Sequence, residues 1–161
     1  MKKLHISLII SSFITIFSFA QTIQSPSEFL GYELGSRFSN HHKVVDYLLY
    51  VSETSKSVQL QKYGETNEKR PLYVSYISSE ENITTIENIR EANLKRTGVL
   101  QGTPNSEIGI VWLSYNVHGN EASSSEAAMQ TLYKLITEKQ DWLKKQLKIL
   151  FLTYMFWFIL I

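Results

Sequence analysis

The chain has 161 residues, of which 43% are hydrophobic and 19% are charged, as in an ordinary globular domain. Its formal net charge of +1 gives no reason to expect a nucleic acid or an anionic surface as a partner. Because the sequence contains no cysteine, it excludes disulfide frameworks, thiolate metal sites and cysteine nucleophiles.

The first twenty residues differ in character from the rest of the chain. The cationic start MKKLH precedes the uncharged apolar run ISLIISSFITIFSF, and Ser18 and Ala20 place small residues where a signal peptidase requires them. We therefore predict that residues 1–20 are an export signal and that the protein is periplasmic or extracellular. An uncleaved membrane anchor is the alternative, but the apolar run is short for a span. No stable membrane span is expected in the mature chain.

A helix is predicted to follow an irregular lead-in over residues 21–38. Either Ser39 or Asn40 is available as its N-cap. Its apolar residues recur with helical spacing, which predicts four of them on one face: Val44, Val45, Leu48 and Leu49.

Two strand patterns come next, and the polar segment GETNEKR joins them. The first, VQLQKY, begins at Val58 and alternates loosely. The second, PLYVSYIS, alternates clearly and places Leu72, Val74 and Tyr76 on one side. The short polar connection predicts a β-hairpin.

The next two elements are a helix and a strand. The segment ENITTIENIREANLKR spaces Ile83, Ile86 and Ile89 three residues apart, which predicts one helix with a single apolar side. The run IGIVWLSYNV is almost entirely apolar, which predicts a strand in the centre of a sheet.

The last predicted helix is SSSEAAMQTLYKLITEK, in which Ser123 and Glu126 have the spacing of a capping box. The elements therefore alternate between helix, hairpin, helix, strand and helix. This order predicts an α/β fold, a sandwich that contains a mixed β-sheet.

The segment VHGNE lies between the apolar strand and the last helix and carries His118 and Glu121. Gly119 and Asn120 favour a turn, which places the pair on a loop at the carboxyl end of a strand, where ligands of open α/β sheets gather. An imidazole nitrogen and a carboxylate are good zinc donors. The spacing alone also fits a polar turn, with His118 hydrogen-bonded at the strand end and Glu121 near a helix N-terminus.

The stretch HGNEASSSEAAM resembles the first zinc motif of the carboxypeptidase A-like zinc metallocarboxypeptidases, whose HxxE motif supplies two of three protein ligands. The segment YGETNEKRPLYVSYIS resembles the early hairpin of that family, and FLGYELGSRF resembles the lead-in of its exported bacterial members. The resemblance covers about residues 25–145. It implies a three-layer α/β sandwich with a mixed sheet, incomplete on its C-terminal side, in which residues 21–145 are the N-terminal part of the domain.

The resemblance also implies a function. His118 and Glu121 would be ligands of Zn²⁺, which activates water for hydrolysis of a C-terminal peptide bond. The substrate would be a peptide or protein with a free C-terminus.

The family also uses a third histidine ligand, a glutamate general base and groups that hold the substrate carboxylate, all located after the HxxE motif. None matches a position here, because no histidine or arginine follows Glu121. We therefore expect a truncated chain that binds zinc weakly or not at all and lacks hydrolytic activity. His41 and His42 are interpreted as a solvated helix end. Arg70, in the predicted hairpin, is interpreted as structural. None of the four arginines that precede the motif is assigned to substrate binding: Arg37, Arg70, Arg90 and Arg96.

Residues 146–161 form an atypical apolar tail, without a charge, Gly or Pro from Ile149 onwards. Three interpretations are open: a strand of a shortened domain, a membrane anchor, or a reading frame lost near Lys145. We favour the lost frame, because the family-like pattern and the composition change at the same place. A membrane span would need about twenty apolar residues.

Two other functions remain alternatives. A zinc-dependent deacylase of the succinylglutamate desuccinylase or aspartoacylase type would also carry an HGNE-type motif. A non-catalytic exported remnant or binding domain would use His118 and Glu121 only structurally.

Overall fold

A computed structural model describes residues 22–118, 120–138 and 149–154 of the chain. The predicted export signal over residues 1–20 lies outside these ranges, as does most of the predicted tail. The described helices are α1 (Pro26–Leu30), α2 (His41–Thr54), α3 (Glu80–Thr84), α4 (Ile86–Arg96) and α5 (Ser123–Thr137). The described strands are β1 (Val58–Glu65), β2 (Pro71–Ile77), β3 (Ile110–Tyr115) and β4 (Ile149–Tyr154). Among these helices, none is both long enough and apolar enough to cross a bilayer.

The four strands form one mixed sheet in the order β1-β2-β4-β3. β2 is antiparallel to both of its neighbours, whereas β3 and β4 are parallel. The predicted α/β class with a mixed sheet is therefore confirmed. Within the described strands β3 lies at an edge, so its predicted central position is wrong. Val111 and Trp112 on β3 are accordingly 42% and 60% exposed. The prediction failed because an apolar run does not specify which strands pair beside it.

The predicted hairpin is confirmed, with Val58 opposite Ile77 at its open end. β1 continues through Glu65, so the connection is shorter than the predicted polar segment. The connection is closed by a hydrogen bond of 2.9 Å from the Thr66 amide to the Arg70 carbonyl. In β2, Leu72, Val74 and Tyr76 share one side, as predicted, since side chains alternate along a strand.

The core lies between this sheet and the helices α2 and α5, which cover one of its faces. The side chains buried in it come from both helices and from β1 and β2: Val44, Tyr47, Leu48, Val51, Val58, Ile77, Ala128, Met129, Leu132 and Ile136. The predicted face of α2 is right for Val44, Val45 and Leu48, but Leu49 is exposed. Tyr47 and Val51 are buried in its place because the helix turns that side toward the core.

The lead-in was predicted to be irregular, but it contains the short helix α1. Ser25 caps this helix, and its side chain and that of Glu28 form a capping box. Phe29 packs against the rings of Tyr47 and Tyr50, with centroid distances of 5.2 and 5.1 Å. This aromatic cluster attaches the lead-in to α2.

The segment predicted as one helix is two, because the chain breaks at Thr85. Thr85 has φ −113° and ψ 20°, and its amide bonds to the carbonyls of Asn82 and Ile83. Its hydroxyl also donates to the Glu81 carbonyl at 3.1 Å. A β-branched residue with a local side-chain partner favours this tightening over a continuous helix. Of the three predicted isoleucines, only Ile89 is fully buried.

A substitution of Ser75 on β2 can measure the energetic cost of burying an unpaired hydroxyl. Its Oγ is buried and has no hydrogen-bond partner among the described residues. We expect Ser75→Ala to raise the free energy of unfolding by about 1 kcal/mol, because the variant no longer buries an unsatisfied group. Urea denaturation of the full chain measures this change.

Ser78 is the matched control, since it is equally buried but accepts a hydrogen bond of 2.9 Å from the Asn82 side chain. Ser78→Ala should lower the free energy of unfolding by about 1 kcal/mol or more. Equal destabilisation by both variants would contradict the prediction.

Candidate metal site

The loop that carries His118 and Glu121 joins β3 to α5. Both of these elements are fixed by the core, because Leu113 and Tyr115 of β3 pack against its buried residues. The Tyr115 hydroxyl also lies 2.9 Å from the hydroxyl of Thr131 on α5. The strand end and the helix are thus attached directly to each other, which limits the positions open to the loop.

The structure brings the two predicted metal ligands together. His118 Nδ1 lies 3.2 Å from Glu121 Oε1, and their side chains are 70% and 58% exposed. The Glu121 amide donates to the His118 carbonyl at 3.0 Å, so a single turn aligns both side chains. An imidazole and a carboxylate therefore lie side by side on the surface, where an ion from solvent can reach them.

The spacing of these donors agrees with shared coordination of zinc. Zn–N and Zn–O bonds of about 2.0–2.1 Å in a tetrahedral site place two donor atoms about 3.4 Å apart. The observed 3.2 Å is close to that separation. The two residues thus fit two corners of a zinc site. In the part of the chain that the structure describes, no group of three or more His, Cys, Asp or Glu side chains could hold a metal ion.

Asn116, at the start of the loop, is a residue that the sequence patterns did not single out. It is only 2% exposed, and its side-chain oxygen and nitrogen have no hydrogen-bond partner among the described residues. Its φ is +57°, in the left-handed region that asparagine tolerates better than most residues. Leaving a buried polar group unpaired costs about 1–3 kcal/mol. An asparagine directly after an apolar strand was the one available signal for this position.

The predicted capping box of α5 is wrong. Ala122 occupies the N-cap position, and no side chain caps the helix. The Glu126 carboxylate is buried and instead accepts hydrogen bonds from the Gly35 amide at 2.5 Å and the Ser39 hydroxyl at 2.7 Å. Because Gly35 and Ser39 bind the Glu126 carboxylate, this side chain does not cap the start of α5.

The same contact determines the N-cap of α2. Asn40 is in the N-cap position, one of the two predicted, but makes no side-chain cap hydrogen bond. Ser39 bonds to Glu126 and lies 2.8 Å from the Tyr32 hydroxyl. A groove of about 670 Å³ opens between the lead-in and the first turns of α5.

The two histidines of α2 differ, so their interpretation as a solvated helix end is wrong for His41. His41 is buried, and its Nε2 lies 3.1 Å from the Pro71 carbonyl, to which it donates. Burial lowers the pKa of His41; the Pro71 carbonyl opposes this shift, and the charges of Arg70 and His42 add to it. His42 is exposed.

The four arginines that precede the HxxE motif all have partners nearby in the sequence. Arg70, interpreted as structural, forms a salt bridge of 2.7 Å with Glu68. The others contact the Tyr32 ring (Arg37), Glu87 (Arg90), and Asn93 with the Ser106 carbonyl (Arg96).

Comparison with known proteins identifies a family for this site. The zinc carboxypeptidase family model matches residues 44–159, a range that includes His118, Glu121 and β4. No curated protein matches the chain.

Of the three interpretations of the tail, a strand agrees with β4. The domain boundary at residue 145 and the loss of the reading frame stay predictions.

The buried histidine predicts a pH dependence of stability. Because the pKa of His41 is lowered from its ordinary value of 6.5, the unfolded chain binds more protons below that pH. Stability should therefore fall as the pH drops below 6.5, through the pKa of the folded state. We expect His41→Gln, whose amide can still donate to the Pro71 carbonyl, to show a shallower fall. Urea denaturation between about pH 7.5 and about pH 5.5 measures the slope.

His42→Gln is the control, since it removes an exposed histidine beside the buried one. It should keep most of the slope of the unsubstituted chain. The same slope in His41→Gln as in the unsubstituted chain would show that His41 does not carry the effect.

Proposed function

The chain belongs to the zinc carboxypeptidase family, and on this premise we propose that His118 and Glu121 are zinc ligands of a peptidase site. The observation that carries the proposal is the 3.2 Å separation of His118 Nδ1 and Glu121 Oε1 on the loop after β3. Their exposure keeps both donors available to an ion. The polar-turn alternative explains the same 3.2 Å contact as a hydrogen bond, and the family match supports the metal role over it.

The chain's own residues perform two tasks in this proposal. His118 supplies a neutral nitrogen donor and Glu121 an anionic oxygen donor, and the core fixes β3 and α5 on either side of them. Zinc bound there supplies Lewis acidity, which polarises a scissile carbonyl and acidifies a coordinated water. The general base and the groups that recognise the substrate carboxylate match no position of this sequence, so we assign none.

The substrate class follows from the family. We propose a peptide or protein with a free C-terminus, from which the C-terminal residue is released by hydrolysis. The family match supports this substrate over the N-acyl amino acid of a desuccinylase-type deacylase.

The location and the full architecture are also proposals. The cationic and apolar start of the sequence supports export to the periplasm or the extracellular space, with residues 1–20 as the signal. The helices α2 and α5 on one face of the mixed sheet support a three-layer sandwich, with a further helical layer on the other face.

Zinc binding tests the ligand assignment. Competition with a chromophoric chelator measures the affinity of the full 161-residue chain. We expect weak binding, since two protein ligands are fewer than the three of a catalytic site. His118→Ala and Glu121→Ala should each weaken it by more than the roughly 10- to 100-fold loss that follows removal of an outer-shell partner.

His42→Ala is the matched control, because it removes an exposed histidine away from the loop and should leave the affinity unchanged. Zinc binding that is the same in His118→Ala and in the unsubstituted chain would sink the ligand assignment.

Substrate assays separate the candidate functions. A peptide with a free C-terminus, the same peptide with an amidated C-terminus and an N-acyl amino acid are each incubated with the zinc-loaded chain. We expect no measurable hydrolysis, because no third histidine ligand or general base is matched. Release of the C-terminal residue from the free peptide alone would contradict the expected inactivity but support the peptidase, whereas cleavage of the N-acyl amino acid would support the deacylase.

A further inference from the structure

We propose that Asn116 is a positioning residue for the metal loop, whose side-chain amide holds His118 and Glu121 in place when the metal is bound. This inference rests on the proposed function, since it assumes that the two residues bind zinc. It assigns Asn116 no contact with the metal or with a substrate.

The first observation is that the fold does not use the amide. Asn116 is almost completely buried, yet neither its oxygen nor its nitrogen has a partner among the described residues. The buried side chains of Glu126 and Ser39 are bonded to each other, whereas the buried Ser75 hydroxyl also has no partner among the described residues. An amide that is desolvated at both atoms lowers the stability of the chain, so its presence calls for another reason.

The second observation is the backbone conformation. Asn116 has φ +57° and lies directly after β3. Glycine adopts this conformation more easily and would bury no polar group. The turn by itself therefore does not explain why the position carries an amide.

The third observation is the location, two residues before His118 on a strand end that the core holds in place. A metal-bound histidine generally donates its second ring N–H to a carbonyl or carboxylate, which fixes the orientation of the ring. The amide oxygen of Asn116 is an acceptor of this kind, and its nitrogen is a donor suited to a carboxylate.

The state of the two ligands completes the argument. His118 Nδ1 and Glu121 Oε1 contact each other at 3.2 Å, and both side chains are exposed. An ion held by Nδ1 and Oε1 would replace this contact, and the second ring nitrogen of His118, Nε2, would then need an acceptor to fix the ring. The buried amide can supply one from a fixed position.

The test measures zinc affinity and metal-free stability in the same full-length variants. We expect Asn116→Gly to bind zinc roughly 10- to 100-fold more weakly than the unsubstituted chain. In EDTA, its free energy of unfolding should be no lower. Asn116→Asp, which keeps an acceptor oxygen and tolerates the same backbone conformation, should recover most of the zinc affinity.

Asn120→Gly is the control for added flexibility, because Asn120 is exposed in the same loop. It should bind zinc as the unsubstituted chain does. Equal zinc affinity in Asn116→Gly and the unsubstituted chain would overturn the inference, as would a failure of Asn116→Asp to bind more tightly than Asn116→Gly. A less stable or unfolded metal-free Asn116→Gly would show that the amide is structural and would overturn it too.

The ligand variants separate this inference from the proposed function. If His118→Ala binds zinc as well as the unsubstituted chain, the metal site itself is wrong, and the inference fails with it. If His118→Ala loses zinc but Asn116→Gly does not, only the role of Asn116 is wrong.

Discussion

The apolar contact of α2 and α5 with the sheet is the constraint on which the candidate site depends. Met129, Leu132 and Ile136 fix α5 to this core, and Leu113 and Tyr115 fix β3 to the same core. The loop between the two elements therefore starts and ends on one rigid body. Its functional side chains are exposed, but the backbone that presents them is anchored at both ends. Such a loop can hold two donors close together without burying either of them.

Much of the secondary structure could be predicted because it follows from hydrophobic periodicity. The hairpin, α2 and α5 bury apolar residues at the spacing that their sequences show. The proximity of His118 and Glu121 also followed from local information, since a two-residue spacer of turn-forming type brings its flanking residues together. These features involve residues that are near each other in the chain, and for such residues a pattern carries most of the information.

The features that were missed depend on contacts between distant parts of the chain. Glu126 has the spacing of a capping residue, but Gly35, 91 positions away, occupies its carboxylate. The edge position of β3 depends on where β4 enters the sheet, which no property of β3 encodes. The role of Asn116 was hidden for the same reason, because a lack of partners is a property of the packed structure. The break between α3 and α4 at Thr85 was missed for a local reason, since a side-chain hydrogen bond competes there with a continuous helix.

The strand order has a consequence for how this chain folds during synthesis. β4 is the last described strand to leave the ribosome, yet it lies between β2 and β3. Until residues 149–154 emerge, the hairpin and β3 have no common sheet, and the strand edges that will receive β4 stay unpaired. Between the synthesis of β3, which ends at Tyr115, and that of residues 149–154, the hairpin and β3 therefore have unpaired strand edges that are open to pairing with other chains. Joining the hairpin to β3 through β4 requires pairing over long sequence separations, as between Tyr73 and Tyr154, and such pairing forms more slowly than local contacts.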